Sequence, residues 1–355
     1  PPPSVQAEDG IRDDLEGLVG SEMCIRDRGN RFIGGLRRVV GTQEGILAVL
    51  LIALIIGVGL YNPRFLNERN LTDVFNANAY VAVAAIGISM IIITGNIDIS
   101  VGAAIGVLVS LSGTIAEVLG QSDVPELLVL ILAWTAPLLG GMLISAVNGF
   151  FVAYLGIPAI VVTLGTFSIL RGGLILVAGG NTITDLPDGY GIAQESVGVL
   201  PVSVIIMIIL TLIAFAWMRW SRLGRSQYAI GGNKEAARLS GIDVRRSLMK
   251  TFIIAGFFYG VAAVMYATQF NTIQTVVVPG LELQVITAAV VGGVSILGGI
   301  GTVIGSTLAA ILIRTIGASL IFIDISAFWL RAILGVLILV TVLADVVRRR
   351  RQERM

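Results

Sequence analysis

Polar side chains that could hydrogen-bond a solute interrupt the apolar sequence of this 355-residue chain at residues 94–102, here called the first break. Within it, Asn96 supplies an amide, Asp98 a carboxylate and Ser100 a hydroxyl. Such a break at membrane depth is typical of a polar pathway, because broken helices line a cavity rather than face lipid. Asp98 and Ser100 also suit the N-terminal cap of the following helix. Pathway lining and a capped turn both remain open for this segment.

Glycine marks a second interruption at residues 292–301, here called the second break, where five of the ten residues are glycine. The whole chain contains 43 glycines, about 12% against an average of about 7%. Small residues let helix backbones approach closely, so the pattern favours a tight helix crossing over direct contact with a solute.

Hydroxyl groups also occur in a predicted helix at residues 157–178, where Thr163 and Thr166 lie. Such hydroxyls bond the carbonyls of their own helix more often than a solute. Arg171 in the same helix is expected either to face protein or water, or to extend to the membrane interface. The interfacial position is also expected for Arg314, because it lies near the end of its predicted span.

Several common chemistries lack their residues in this sequence. It contains no histidine and a single cysteine, Cys24, so histidine-based metal sites, histidine proton relays and a disulfide within the chain are excluded. A phosphate-binding loop needs a lysine directly after a glycine, and neither Lys234 nor Lys250 follows one. We therefore expect no catalytic residue, no metal and no cofactor bound by this chain.

The composition is that of an integral membrane protein. Hydrophobic residues make up 55% of the chain and charged residues 13%, whereas soluble domains average about 25% charged residues. A soluble globule of this size could not cover its surface with so few charges. A disordered chain, a nucleic-acid binder and an ordinary cytosolic enzyme are therefore excluded.

Ten apolar runs are long enough to cross a bilayer as helices, which takes about 20 residues each. Helix is the expected state because unpaired backbone groups in lipid are costly and the runs lack the strict alternation of a barrel. The sequence predicts an all-α, polytopic membrane protein with about ten transmembrane helices, its transmembrane domain covering residues 45–347. The predicted spans are residues 45–61, 75–94, 101–119, 127–150, 157–178, 202–220, 249–269, 283–297, 302–320 and 328–347.

Basic residues predict the orientation of these spans. With ten crossings, the segment 29–44, the loop 221–246 and the basic tail 348–355 fall on one side of the membrane. The loops 121–126 and 179–200 fall on the other side and contain acidic but no basic residues. Because lysine and arginine are enriched in cytoplasmic loops, both termini are predicted to be cytoplasmic.

Residues 1–28 differ from everything that follows. They carry seven acidic residues and three arginines, and no basic region followed by an apolar run, so they are not a signal peptide. The strings at 7–13 and 21–28 resemble a translated sequencing adapter. We interpret residues 1–28 as a non-native or disordered segment and assign no function to Cys24.

A short helix is predicted within the polar loop, at residues 233–241. Asn233 suits its N-cap and Gly241 its C-terminal stop. One face carries little side-chain bulk and could insert into a groove of a cytoplasmic partner; alternatively, anionic lipid could hold the helix through its arginines. That face comprises Ala236, Leu239 and Ser240.

Several segments together resemble the permease subunits of bacterial ATP-binding-cassette sugar importers, the ribose, xylose, rhamnose and autoinducer-2 group. The resemblance covers about residues 45–345 in the order of the family. One departure is Gly95-Asn96, where the family often has two glycines. The matching segments are residues 67–71 (NERNL), 95–102 (GNIDISVG), 148–154 (NGFFVAY), 157–166 (IPAIVVTLGT), 171–172 (RG), 228–242 (YAIGGNKEAARLSGI) and 291–301 (VGGVSILGGIG).

The resemblance implies a type II importer permease in the bacterial inner membrane. It also implies partners: a second copy of the permease or a paralogue, a cytoplasmic ATPase that uses ATP and magnesium, and a sugar-binding protein outside. By the same resemblance, one segment of the polar loop is the coupling helix that docks on the ATPase. Its residues are Glu235, Ala236, Ala237, Arg238, Leu239, Ser240, Gly241 and Ile242.

The predicted function is ATP-driven import of a sugar, either a pentose, a deoxyhexose or an autoinducer-2-like solute. An ion- or proton-coupled secondary transporter is the alternative; it would need ionisable groups paired across helices, for which Asp98 and Arg171 are the best candidates. A scaffold or receptor subunit without transport is a third possibility. The residues expected at the pathway or gate are Asn96, Asp98, Ser100, Thr163 and Thr166.

Overall fold

The computed structural model describes residues 42–179, 181–198, 200–274 and 280–352. The predicted segment 1–28, nearly all of 29–44, and the side chains of the basic tail 348–355 lie outside this description. The fold is helical, as predicted. Nine helices of the described part are long and apolar enough to cross a membrane, if α2 and α3 are taken as one span interrupted at residues 77–78.

The helices follow the predicted spans closely at nine of the ten positions. The helices are α1 (Gln43–Tyr61), α2 (Glu68–Asn76), α3 (Ala79–Ile93), α4 (Val101–Gly120), α5 (Glu126–Ala153), α6 (Ala159–Ala178), α7 (Val202–Trp220), α8 (Arg222–Gly232), α9 (Lys234–Leu239), α10 (Val244–Ala267), α11 (Leu281–Val291), α12 (Val303–Phe322) and α13 (Trp329–Gln352). Two short antiparallel pairs join β1 (Thr182–Ile183) to β4 (Ile273–Gln274), and β2 (Ser196–Val197) to β3 (Leu200–Pro201).

The predicted span at residues 283–297 is wrong as a continuous helix of membrane-spanning length. Helix α11 has 11 residues, a length of about 16 Å, roughly half of the ~30 Å hydrocarbon core. It ends at Gly292 and Gly293, and Gly293 has a φ of +94°. Helical backbone cannot continue through that conformation. Valine, isoleucine and leucine within the second break keep the segment apolar and hide the helix end from a hydropathy reading.

Helix α3 forms the centre of the fold. All of its 15 residues are buried, as expected for a helix that is apolar on every side. It packs against α7, α10, α11 and α12. The Ser89 hydroxyl donates to Ser306 of α12 at 2.7 Å, which fixes the two helices against each other at the depth of the membrane.

Helices α5 and α10 cross at unusually close range. A Cβ atom at Gly256 would lie 2.7 Å from the Ser145 side chain and overlap the backbone of Gly141. A Cβ atom at Gly260 would lie 2.5 Å from the Cα atom of Leu138. This crossing depends on small residues, as is typical of transmembrane packing.

Hydrogen bonds define the two ends of the bundle. At one end, Thr302 donates to Glu44 at 2.7 Å, beside α8 and α9; we call this the α9 end. At the other, Asn62 donates to the Phe322 carbonyl at 3.1 Å, near the β1–β4 pair; we call this the hairpin end. Tyr190 anchors the hairpin end through a 2.8 Å bond with Ser112, and burial raises the pKa of its phenol to about 12.

Candidate functional site

A chain of side-chain hydrogen bonds connects the first break to α5 and α6. Asp98 Oδ1 accepts from the Ser100 amide at 2.9 Å and from the Ser100 hydroxyl at 2.5 Å. The Asn148 amide donates to the Ser100 hydroxyl at 3.0 Å, and the Thr166 hydroxyl donates to Asn148 Oδ1 at 2.6 Å. This polar network therefore joins three separate elements inside an otherwise apolar bundle.

Asp98 and Ser100 are expected either to line a pathway or to cap the following helix, and their burial distinguishes these roles. At most 1% of the surface of Asp98, Ser100 or Asn148 is exposed. Asp98 accepts the Ser100 amide just before α4 begins, whereas the Ser100 side chain makes no capping bond. The arrangement is that of a buried turn tied to its neighbours, with none of these three side chains lining an open surface in this conformation.

The Tyr259 hydroxyl of α10 faces Asp98 from the opposite side. Asp98 Oδ2 and the Tyr259 hydroxyl are both buried and have no hydrogen-bond partner within the usual distance among the described residues. Buried polar groups without partners are rare because each costs about 1–3 kcal/mol. The two groups lie close enough to interact, so each is the nearest candidate partner for the other.

Thr163 and Asn96 occupy different positions from each other. Thr163 is fully buried; its hydroxyl donates to the Ala159 carbonyl at 2.8 Å and accepts the Ile99 amide at 3.1 Å. The expected bond to its own helix is thus confirmed, together with a contact to the first break. Asn96 is half-buried and donates only locally, to the Thr94 hydroxyl at 3.0 Å. The structure brings Thr163 to the network and leaves Asn96 outside it.

Asn148 and Tyr259 are members of the site that the sequence reasoning missed. Asn148 had a usable signal, because an amide near the end of a long apolar run must find a partner inside a membrane protein. Tyr259 had none, since aromatic residues are common in transmembrane helices. Its position opposite Asp98 depends on how α10 packs.

The two breaks meet at a set of glycine contacts that we call the glycine junction, formed by Ile93, Gly95, Gly231, Gly298 and Gly299. The Gly299 amide donates to the Ile93 carbonyl at 2.8 Å, which joins the second break to the end of α3 just before the first break. A Cβ atom at Gly298 would lie 2.8 Å from the Gly95 nitrogen, and one at Gly231 would overlap Ile93 and Gly299. Three backbones therefore meet without intervening side chains.

Tyr228 adds a second link from α8 to the second break. Its hydroxyl donates to the Gly301 carbonyl at 2.9 Å. Burial raises the pKa of this phenol, so it stays protonated and remains a donor at neutral pH. Helix α8 is thus attached to the breaks at Tyr228 and again at Gly231.

Helix α9 follows α8 after a single residue and confirms the helix predicted at residues 233–241. The Asn233 side chain accepts the Ala236 amide at 2.9 Å, and Gly241 has a φ of +83°. Ala237 is buried against α8 and α10, while Leu239 is 83% exposed. The small-residue face predicted for this helix therefore points away from the rest of the chain.

Arg314, for which an interfacial position is expected, is held by side chains of other segments of the chain. Arg314 is the twelfth residue of the 20-residue α12, about 17 Å from its start. Its guanidinium donates to Asn78 at 2.6 Å and to Gln284 at 3.0 Å. Amide oxygens inside the bundle hold this side chain, so it has no need to extend to the interface.

Replacing Asn148 with alanine should destabilise the protein by about 1–3 kcal/mol, because Thr166 loses its acceptor and Ser100 loses a donor inside the bundle. Thermal unfolding of the purified protein in detergent measures this. The control is Thr135→Val in the same helix, where an exposed hydroxyl bonds only its own helix at Ile131. Equal melting temperatures for the two variants would show that the network contributes nothing.

The fold and these sites define a multi-pass membrane transport protein of the permease class. A protein-family profile described as "Branched-chain amino acid transport system / permease component" matches residues 70–342, and the chain belongs to this family. Its family identifies it as a transport subunit. The resemblance to sugar-importer permeases is confirmed by similar proteins whose names state such a role.

Three of these similar proteins illustrate the match. The autoinducer 2 import system permease protein LsrC of Salmonella typhi is 34% identical over 313 residues, covering 87% of each chain. The LsrC protein of Yersinia enterocolitica is 31% identical over 317 residues, covering 89% of this chain and 86% of its own. The galactose/methyl galactoside import permease protein MglC of Escherichia coli K12 is 29% identical over 323 residues, covering 88% and 96%. No solved structure gives a significant match.

Proposed function

We propose that this chain is the transmembrane permease subunit of an ATP-driven importer that moves a sugar or sugar-like solute into the cell. The observation that carries the proposal is the connection between α9 and both breaks. An exposed helix at one end of the bundle leads through α8 to the glycine junction, where α8 contacts both breaks. The names of the similar proteins support the substrate class.

In this proposal the α9 end faces the cytoplasm, which agrees with the basic residues concentrated in its loops. Helix α9, with Glu235 to Ile242, docks in a groove of a cytoplasmic ATPase, which binds ATP and magnesium. A second permease copy or a paralogue completes the pathway, and a sugar-binding protein delivers the solute at the hairpin end. Both termini then lie in the cytoplasm.

The proposed mechanism transmits movement from α9 to the breaks. When the ATPase closes on ATP, α9 shifts, and α8 shifts with it because Ala237 and Ile230 share one apolar cluster. The glycine junction transmits this shift to both breaks, because the backbones touch there without intervening side chains that could absorb the movement. Asp98, Ser100, Thr163 and Thr166 then act as gate residues whose hydrogen bonds exchange between the outward and inward states, with Asn96 beside them.

An ion-coupled secondary transporter finds less support. Such a protein needs ionisable groups paired across helices within the membrane. Among the described residues, the two ion pairs are Glu235–Arg238 and Asp243–Arg246, each at 3.1 Å and each exposed at the α9 end. Neither lies where a coupling ion would cross.

Transport measurements on the complete assembly test the proposal. The permease is reconstituted in liposomes together with its ATPase and its sugar-binding protein, with ATP either inside or outside. Uptake of labelled sugars is then followed. We expect uptake that requires ATP on the α9 side and survives collapse of ion gradients. Uptake by the permease alone that stops when the gradient collapses would favour the secondary transporter, and no uptake of any sugar would favour a scaffold.

A further inference from the structure

Arg314 places a positive charge within the bundle, with no acidic partner among the described residues. Its helix, α12, is one of the spanning helices, and the side chain is half-buried. Neither of the two ion pairs in the described part includes it. Charged groups inside membranes are costly, so those that persist usually face a pathway or a bound partner. We therefore expect this charge to have a role besides holding the helices together.

The hydrogen bonds of Arg314 leave part of its capacity unused. A guanidinium carries five N–H donors, and the hydrogen bonds to Asn78 and Gln284 use two of them. Both partners are neutral amides, so the charge is solvated but not neutralised. Unused donors on a fixed, planar group suit the recognition of oxygen atoms.

Two aromatic rings lie beside this cation. Tyr80 of α3 lies two residues after Asn78, which accepts a hydrogen bond from Arg314, and its ring packs against that of Tyr266 of α10. Their rings meet edge to face, with centroids 4.9 Å apart. Tyr266 is half-buried and leads to Phe270, which is exposed. Arg314, Gln284 and Tyr266 are half-buried, whereas Asn78 and Tyr80 are buried, so this mixed polar and aromatic wall presents a guanidinium, an amide and one aromatic ring.

Such a wall matches the chemistry of a sugar better than that of an inorganic ion. Sugar hydroxyl oxygens accept hydrogen bonds from guanidinium N–H groups, and the C–H face of a sugar ring packs on aromatic rings. An isolated anion would gain from the charge but would leave the rings unused. A cation would be repelled.

We infer that Arg314, Asn78, Gln284, Tyr80 and Tyr266 form a subsite within the membrane that binds the hydroxyl groups of an uncharged polyol solute during its passage. This inference rests on the proposed function and adds to it the contact residues and the neutral charge of the solute. The subsite is weak by design, because a solute held tightly could not leave.

The test uses the complete assembly in liposomes, with labelled D-ribose and D-galactose as probes. Arg314→Gln should lower the uptake of the transported sugar per ATP hydrolysed at least tenfold. Arg314→Lys keeps the positive charge that Asn78 and Gln284 solvate but loses the planar set of guanidinium donors. It should lower that ratio by an intermediate factor. The control is Arg331→Gln, an exposed arginine of α13, which should leave the ratio unchanged.

A direct binding measurement separates a subsite from a structural tie. Saturation-transfer NMR on the permease–ATPase complex in nanodiscs should detect the transported sugar on the wild type and on Arg331→Gln, and lose the signal with Arg314→Gln. Inorganic phosphate at equal concentration should not compete.

Retained sugar signal and uptake ratio in Arg314→Gln would overturn the inference, as would full competition by phosphate, which would indicate an anion site. Absence of a sugar signal on the wild type would overturn it as well. Wild-type uptake in those cases would leave the proposed function standing, whereas absence of uptake by the wild-type assembly would count against the proposed function itself.

Discussion

Replacing Leu239 with arginine should abolish sugar-driven ATP turnover and uptake while leaving the permease folded. Leu239 is 83% exposed at the tip of α9, and in the proposed function it is the large apolar side chain that α9 inserts into the groove of the ATPase. Loss of a buried leucine costs about 1.5–3 kcal/mol, and a charge forced into an apolar groove costs more. We therefore expect affinity for the ATPase to fall at least tenfold, since about 1.4 kcal/mol corresponds to that factor.

Co-purification of the permease with its ATPase and uptake in liposomes measure the effect. The matched control is Ala229→Arg, which adds the same charge on an exposed position of α8 at the same end of the bundle. The melting temperature of both variants in detergent should equal that of the wild type. Full ATP turnover and uptake by Leu239→Arg would show that α9 is not the coupling helix.

Replacing Gly231 with alanine should uncouple transport, whereas the same change at the next residue should have little effect. A Cβ atom at Gly231 would overlap the Ile93 carbonyl and the Gly299 amide, so the breaks must move apart to accept it. A Cβ atom at Gly232 meets nothing within 4 Å. Overpacking of this kind costs about 1–3 kcal/mol, which here falls on the contact between the breaks.

We expect uptake by Gly231→Ala to fall at least tenfold, with the ATPase still bound because α9 is unchanged. Gly232→Ala, which has the same composition, should transport at nearly the wild-type rate. Uptake and ATPase binding are measured on the same liposomes, and melting temperature is measured alongside. A Gly231→Ala protein that melts earlier but transports normally per folded molecule would show that the junction is only a packing contact.

Much of the fold follows from patterns that local sequence carries. Nine spans could be predicted because runs of apolar residues must form helices in lipid. Helix α9 could be predicted because Asn233 and Gly241 mark its two ends by local chemistry. These features depend on residues that are neighbours in the chain, so the sequence alone is sufficient to predict them.

The errors arise where distant parts of the chain decide the structure. The span at residues 283–297 failed because apolar residues within the second break mask glycines with positive φ. The contacts of Arg314 could not be predicted because its partners, Asn78 and Gln284, are 236 and 30 residues away. Asp98 and Ser100 were identified, but their bond to Asn148 depends on packing that no local pattern encodes.

The central position of α3 has a consequence for biogenesis. The helix leaves the ribosome early, whereas α10 and α12, which surround it, are made more than 150 residues later. Until then lipid must cover its surface, and this is energetically tolerable because α3 contains no charged residue. Assembly is therefore an exchange of lipid for protein around a helix already inserted. A chain truncated after α7 would still enter the membrane, but its core would remain a lipid-facing helix.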